Sequence, residues 1–399
     1  MIKPPKVCYL LLFSLLCCKK PFTPAVIASS GSYLVVEGVI NSGSDSTIIK
    51  LSKTVKLSDA VVTNPVSQAV VFVESDQHAQ YPLTETTNGN YTSAGLNLDN
   101  SHTYRLSIKT ADNKQYYSDF VPVLNSPPID SIYFTTTSNS VNINSATHDA
   151  TNAAKYFRWD YTETWIIHPP FNSGYISNGD TVLTRTASQQ IYTCWQSDTS
   201  SVIVLGSSAK LAKDVIVGNP ITSISSSSPK IASEYSIFVH QYALTGDAYT
   251  FWTNLKKNTE QLGSIFDAEP TQISGNIHST TNPSEPVIGY ISVGSTTSQR
   301  LFITIYQLPH WASNYNAPPD CELTSCLYIY YPPNSKILEN QVNEFINYKR
   351  GATYPLIPIA PIQPPGAPKP LGYTASTPEC TDCTLHGTNI EPSFWKYYP

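Results

Sequence analysis

The stretch KYFRWDYTETW, residues 155–165, is the most informative in the chain. At a period of two, Phe157, Trp159, Tyr161, Glu163 and Trp165 share one face, and Arg158 and Asp160 share the other. A run of aromatics on one side is a buried strand face, and Glu163 is its odd member. Burial disfavours a carboxylate's charge, so Glu163 could act as a general acid. The alternative is a satisfied core acceptor for tyrosine hydroxyls. Trp159, Trp165, Trp195, Trp252 and Trp311 could form a sugar-stacking platform, although aromatics at such spacings usually belong to a core.

Further strands are expected on both sides of this one. Residues 129–135 and 141–144 precede it, and 181–184, 191–195, 202–205 and 235–242 follow. The period then becomes helical: Ala248, Trp252, Leu255, Thr259 and Leu262 fall on one face. This predicts a helix at about 245–262, with Thr245 as N-cap and Gly263 as its stop. Trp252 and Leu255 should face the core. Strands resume at 287–293 and 300–305, giving a β-rich domain at 129–345. Residues 351–399, with Pro364, Pro365 and Pro368, read as an extended Pro-rich tail.

Upstream, strands at 33–40, 47–51, 70–74, 104–110 and 115–121 alternate between turn signals at regular spacing, the mark of a sandwich. The order PVSQAVV, then GNY, then YRLSIKT resembles transthyretin-like or carboxypeptidase-regulatory-like modules over residues 32–123. Asn125-Ser126-Pro127-Pro128 marks a boundary. The expected class is therefore all-β: a transthyretin-like or Ig-like sandwich, then a larger β-rich domain with one amphipathic helix.

Composition agrees with an extracytoplasmic β protein. Charged residues make up 13% of the 399, against a usual share of roughly 25%, and Tyr (26) and Pro (31) are abundant. The net charge of −5 comes without a basic face, which argues against nucleic acid as a partner.

Lys3 and Lys6 precede VCYLLLFSLL, residues 7–16. As a helix this run would span about 15 Å, half of a bilayer core of about 30 Å. It reads as a signal peptide, residues 1–17. Leu15-Leu16-Cys17-Cys18 has the bacterial lipoprotein pattern, with Cys18 as the lipid-bearing residue and 18–31 as anchor and tether. Of eight cysteines, Cys194, Cys321, Cys326, Cys380 and Cys383 then remain. An odd set leaves at least one thiol unpaired. Cys321 or Cys326 is expected to pair with Cys380 or Cys383, tying the tail to the body, and Cys194 to be a buried thiol.

No nucleophile elbow, zinc helix, Walker loop or dinucleotide fingerprint follows any strand. The eight histidines are scattered, His148-Asp149 reading as a turn. No catalytic residue, metal ligand or cofactor is assigned, and the ligand is left open.

Several segments together resemble the Bacteroidota lipoproteins grouped as "domain of unknown function 4249". They include LVVEGVI (34–40), DFVPV (119–123), PPIDSIY (127–133), the 158–165 strand, LGSSAK (205–210), the run from QYAL (241–244) to NTEQLGSIFD (258–267), GNIH (275–278), and CTDC (380–383) with Phe394-Trp395. The resemblance implies an outer-membrane protein accompanying a TonB-dependent transporter, and no catalytic residues. Lys19-Lys20 is basic where surface-export signals of that phylum tend to be acidic, so either membrane face stays open. Two readings follow: a non-enzymatic ligand-capturing or docking subunit of a nutrient uptake system, or a surface glycan-binding or glycan-hydrolysing lipoprotein using Glu163 and exposed tryptophans.

Overall fold

The computed structural model describes residues 32–55, 64–260, 275–310, 321–329, 339–347 and 356–397. The signal peptide, Cys18 with its tether, Leu262, Gly263 and Trp311 lie outside the described residues. The protein is mostly β, in several sheets, one of them nearly closed on itself.

That closure comes from one strand. Gln80–Thr87 pairs through Leu83 with Val71 of Val70–Ser75, and through Thr84 with Thr92 of Asn90–Ser93. Because it serves both neighbours in turn, the sheet rolls over and traps one core. Leu34, Val36, Ile49, Leu51, Val71, Val73, Tyr91, Leu106 and Ile108 fill it. The hairpin expected between 104–110 and 115–121 forms, with Ser107 opposite Tyr117.

Residues 277–294, assigned from sequence to the larger domain, in fact return to this first sheet. Val287–Ile288 and Val293–Gly294 run parallel to Leu34–Asn41, and Ile277–Ser279 pairs with Gln115–Ser118. Ile277, Val287, Ile291 and Val293 complete the core. Such two- and three-residue strands carry too little alternation to announce a partner. Glu285 secures the return, accepting from Lys114 Nζ (2.9 Å) and from the Tyr116 hydroxyl (3.1 Å).

The aromatic stretch is the strand Tyr156–Ile167, central in a five-stranded sheet. Cys194–Thr199 and Val204–Ser207 pair on one side of it, and Glu234–Leu244 with Thr296–Thr304 on the other. Its odd positions from Phe157 to Trp165 are buried, and Phe157, Trp159, Tyr161 and Trp165 share a core with Ile132, Val141, Ile143, Ile221 and Ile224 of the three-stranded sheet Ile129–Thr136, Ser140–His148 and Val215–Ser225. Gly206 is required there, since a Cβ would come within 2.8 Å of the Trp159 indole. Gln241, fully buried, accepts from Trp159 Nε1 (3.0 Å) and donates to Pro127 O (2.9 Å) and Thr147 Oγ1 (3.1 Å). The segment at 125–128 is thereby wired into the core.

The helix is Gly246–Glu260, with Thr245 Oγ1 accepting from Ala248 N. It buries Ala248 and Phe251, in place of the expected Trp252 and Leu255. Phe251 meets Tyr290, at 5.5 Å between ring centroids. Trp252 is drawn to the polar face of the sheet, where the Arg158 guanidinium lies 4.6 Å from its ring and 4.3 Å from that of Tyr242.

The Pro-rich tail is also more structured than expected. Ile357–Ile362 and Gly372–Ser376 form a three-stranded sheet with Thr324–Leu327. The prolines of 357–362 are tolerated because that strand is an edge. Beyond it, Trp395 packs on Trp195 and Phe302 and donates Nε1 to Glu234 (3.2 Å), while the Arg300 guanidinium lies 3.6 Å over Phe394.

Candidate functional site

The buried face of Tyr156–Ile167 leads from the core to a surface cavity. Glu163, 5% exposed, comes first. One oxygen accepts from the Tyr235 hydroxyl at 2.6 Å, and the other pairs with Lys230 Nζ. Ser228-Pro229-Lys230-Ile231 explains the placement of that lysine. The Ser228 side chain caps a 3₁₀ turn, Pro229 opens it, and Ile231 is buried as its anchor. Lys230 also approaches Asp198 (3.7 Å) and lies 4.9 Å from the Trp165 ring. Burial, followed by the Glu163 charge, holds the Tyr235 hydroxyl well above its ordinary pKa. Glu163 is therefore the satisfied acceptor of a tyrosine hydroxyl, with an ion pair that sequence reasoning missed.

Next along this face come Trp165 opposite Gln196, and Ile167 opposite Cys194. Cys194 is bonded to Cys383, and Cys321 to Cys380. Cys194 is thus a disulfide partner and not the expected buried thiol. Cys326, proposed as a disulfide candidate, is the one free cysteine among the described residues, buried in the small core with Val342, Ile346 and Tyr373. The physical reason is direction. Cys326 points inward from its strand opposite Tyr373, while Cys321 lies before that strand begins.

The two staples bring residues 379–386 against residues 167–170 and leave a cavity of 380 Å³ between them. Ile167, Pro169, Pro170 and Pro229 give it apolar walls, and His168, Gln196, Glu379, Asp382 and His386 line it with polar groups. His168 stacks on Tyr192 and places Nδ1 3.2 Å from Tyr192 O. A carbonyl only accepts, so Nδ1 carries the proton and Nε2 keeps a lone pair when the ring is neutral. Burial lowers the pKa of His168 and favours that neutral form. Asp382 accepts from Thr384 N and Oγ1. Its charge also acts on Arg185, whose pKa is lowered by burial. Glu379 has no hydrogen-bond or ion-pair partner among the described residues. Sequence reasoning missed this convergence because it depends on Cys194 pairing with Cys383, 189 positions away. Pro169-Pro170, ending the aromatic strand, was the one local signal.

The other candidates are dispersed. Trp159, Trp165, Trp195 and Trp395 are buried, and Trp252 lies under Arg158. His148 ends a strand and bonds Asp130 (2.7 Å), while the Asp149 carboxylate organises the following turn by accepting from Thr151, Ala153 and Ala154. No cluster able to hold a metal occurs among the described residues.

A pH dependence follows from two histidines. Burial lowers the pKa of both His168 and His240; at His240, Asp160 opposes the shift while Arg300 and Arg158 add to it. As pH falls below about 6.5, the unfolded chain takes up these protons before the folded one, so stability declines with acidification until the folded rings protonate. Urea midpoints should fall between about pH 7 and pH 5.5, and more shallowly in a His168→Gln/His240→Gln variant. An equal slope in both proteins would refute this assignment.

Residues 19–300 match the family described as Domain of unknown function (DUF4249). No curated protein matches the chain.

Proposed function

The chain belongs to the DUF4249 family, and we propose that it is a non-enzymatic outer-membrane lipoprotein, an accessory ligand-capturing or docking subunit of a TonB-dependent nutrient uptake system. The observation that carries the binding reading is the state of Glu163. Both its oxygens are engaged, by Tyr235 and Lys230, and it is buried away from the neighbouring cavity walls. A carboxylate so held is a structural group, whereas the cavity beside it has the apolar walls and few polar groups of a ligand site. The membrane anchor rests on the Leu15-Leu16-Cys17-Cys18 pattern, and the transporter on family resemblance, which is an analogy. No helix among the described residues is long and apolar enough to cross a membrane; the proposed anchor is a set of acyl chains on Cys18.

Cys18→Ser should release the protein from membranes into the soluble fraction; extraction still requiring detergent would overturn the anchor. Crosslinking in native membranes should capture a TonB-dependent transporter, and Glu163→Gln should leave that capture intact. Turnover of a glycan or peptide by purified protein, abolished by Glu163→Gln, would instead establish the hydrolytic alternative.

A further inference from the structure

We propose that the cavity between residues 167–170 and 379–386 binds an organic ammonium ligand, a compact apolar body carrying one primary amine. The inference rests on the binding reading above and adds the chemical class of the ligand. A volume of 380 Å³ lies within the range of small-molecule sites. The proline rings and the Ile167 side chain suit an apolar body. The lining carries two carboxylates, Glu379 and Asp382, and no lysine or arginine. Asp382 is already engaged with Thr384 and lies in the field of Arg185, so Glu379 is the carboxylate left for a ligand. His168 Nε2 adds a neutral acceptor. Of the neighbouring cations among the described residues, Lys230, next to Pro229 of the lining, is held by Glu163, and Arg185 faces Asp382, so an anionic ligand would compete with a carboxylate for either one. The same face also shows how this protein holds an ammonium: Lys230 Nζ sits between Glu163 and Asp198, against the Trp165 ring.

The test is calorimetric titration of the full exported protein with tyramine and with 4-hydroxyphenylacetate, which carries the same ring and the opposite charge. Tyramine should bind with a Kd on the order of 1 mM or below, and the carboxylate should not bind at about 10 mM. Glu379→Gln should weaken tyramine about tenfold, the low end for a charge-assisted hydrogen bond at an exposed group. Gln196→Trp, which fills the cavity, should abolish binding, and Glu37→Gln, on a strand of the first sheet, should leave it unchanged. Circular dichroism and melting temperature confirm that each variant is folded. Equal binding of both probes, no heat from tyramine, or an unchanged Kd in Glu379→Gln would overturn the ammonium assignment. Transporter crosslinking is read separately, so failure here is distinguishable from failure of the docking reading.

Discussion

A variant with both Cys194 and Cys383 replaced by alanine is expected to lose about 5 kcal/mol of stability, the largest effect of any covalent change in the described structure. The bond closes 189 residues, and in the chain-entropy model the constraint on the unfolded state grows with the logarithm of loop length. The Cys321–Cys380 bond, across 59 residues, should be worth about 4 kcal/mol by the same relation. The longer bond also has a structural consequence that the shorter lacks. Cys194 leads into the strand Cys194–Thr199, and Cys383 forms part of the cavity wall, so the staple fixes residues 379–386 to the central sheet. Its loss should expose the C-terminal segment to trypsin and quench the contact of Trp395 with Trp195 before the sheets themselves unfold. Both effects can be measured under oxidising conditions, by thermal melts and by mapping of cleavage products. A midpoint unchanged, or lowered less than in a Cys321→Ala/Cys380→Ala variant, would show that the pairing is not the one described.

How much of this was legible in the chain depended on whether the information was local. The aromatic strand could be read because period-two alternation over ten residues has few other solutions, and the hairpin at 104–121 because its turn lies between its strands. The return of 277–294 could not, since parallel pairing to residues 34–41 leaves no signature in segments of two or three residues. The helix was legible as a helix, but its buried face was not. Hydrophobicity pointed to Trp252, while the guanidinium of Arg158, from a strand almost a hundred residues earlier, offered that indole a better place on the polar sheet face. The cysteines were half legible: Cys321–Cys380 was among the expected pairs, whereas the bond from Cys194 to Cys383 was not. Their number and an expected oxidising compartment pointed to disulfides, but connectivity is a property of the folded chain. The cavity was built on that connectivity and stayed hidden with it. Glu163 was half legible: its burial and a tyrosine partner were read correctly, and Lys230, 67 residues away, was not.

Glu163→Ala should cost about 3 kcal/mol, because it leaves the Tyr235 hydroxyl buried without its acceptor and Lys230 with only the exposed Asp198 as a partner. Glu163→Gln should cost less, about 1–2 kcal/mol. Its amide oxygen can still accept from Tyr235, and Lys230 can turn towards Asp198, which is more exposed, while staying against Trp165. Replacing both partners together, as Glu163→Leu/Lys230→Met, should return most of the loss, since an apolar pair of similar volume removes two desolvated charges at once. The three variants therefore form an ordered series: alanine worst, glutamine intermediate, the apolar pair nearest wild type. Urea midpoints would reveal that order, and the double variant against its single parents gives the coupling energy directly. The order also separates a structural ion pair from an acid–base group. A catalytic carboxylate is selected for its protonation, and its removal need not destabilise the fold. Here the glutamine variant should keep the tertiary signal of the aromatic face while the alanine variant loses part of it. If Glu163→Ala unfolds at the wild-type midpoint, the buried pair contributes nothing, and Glu163 becomes available again for the hydrolytic role.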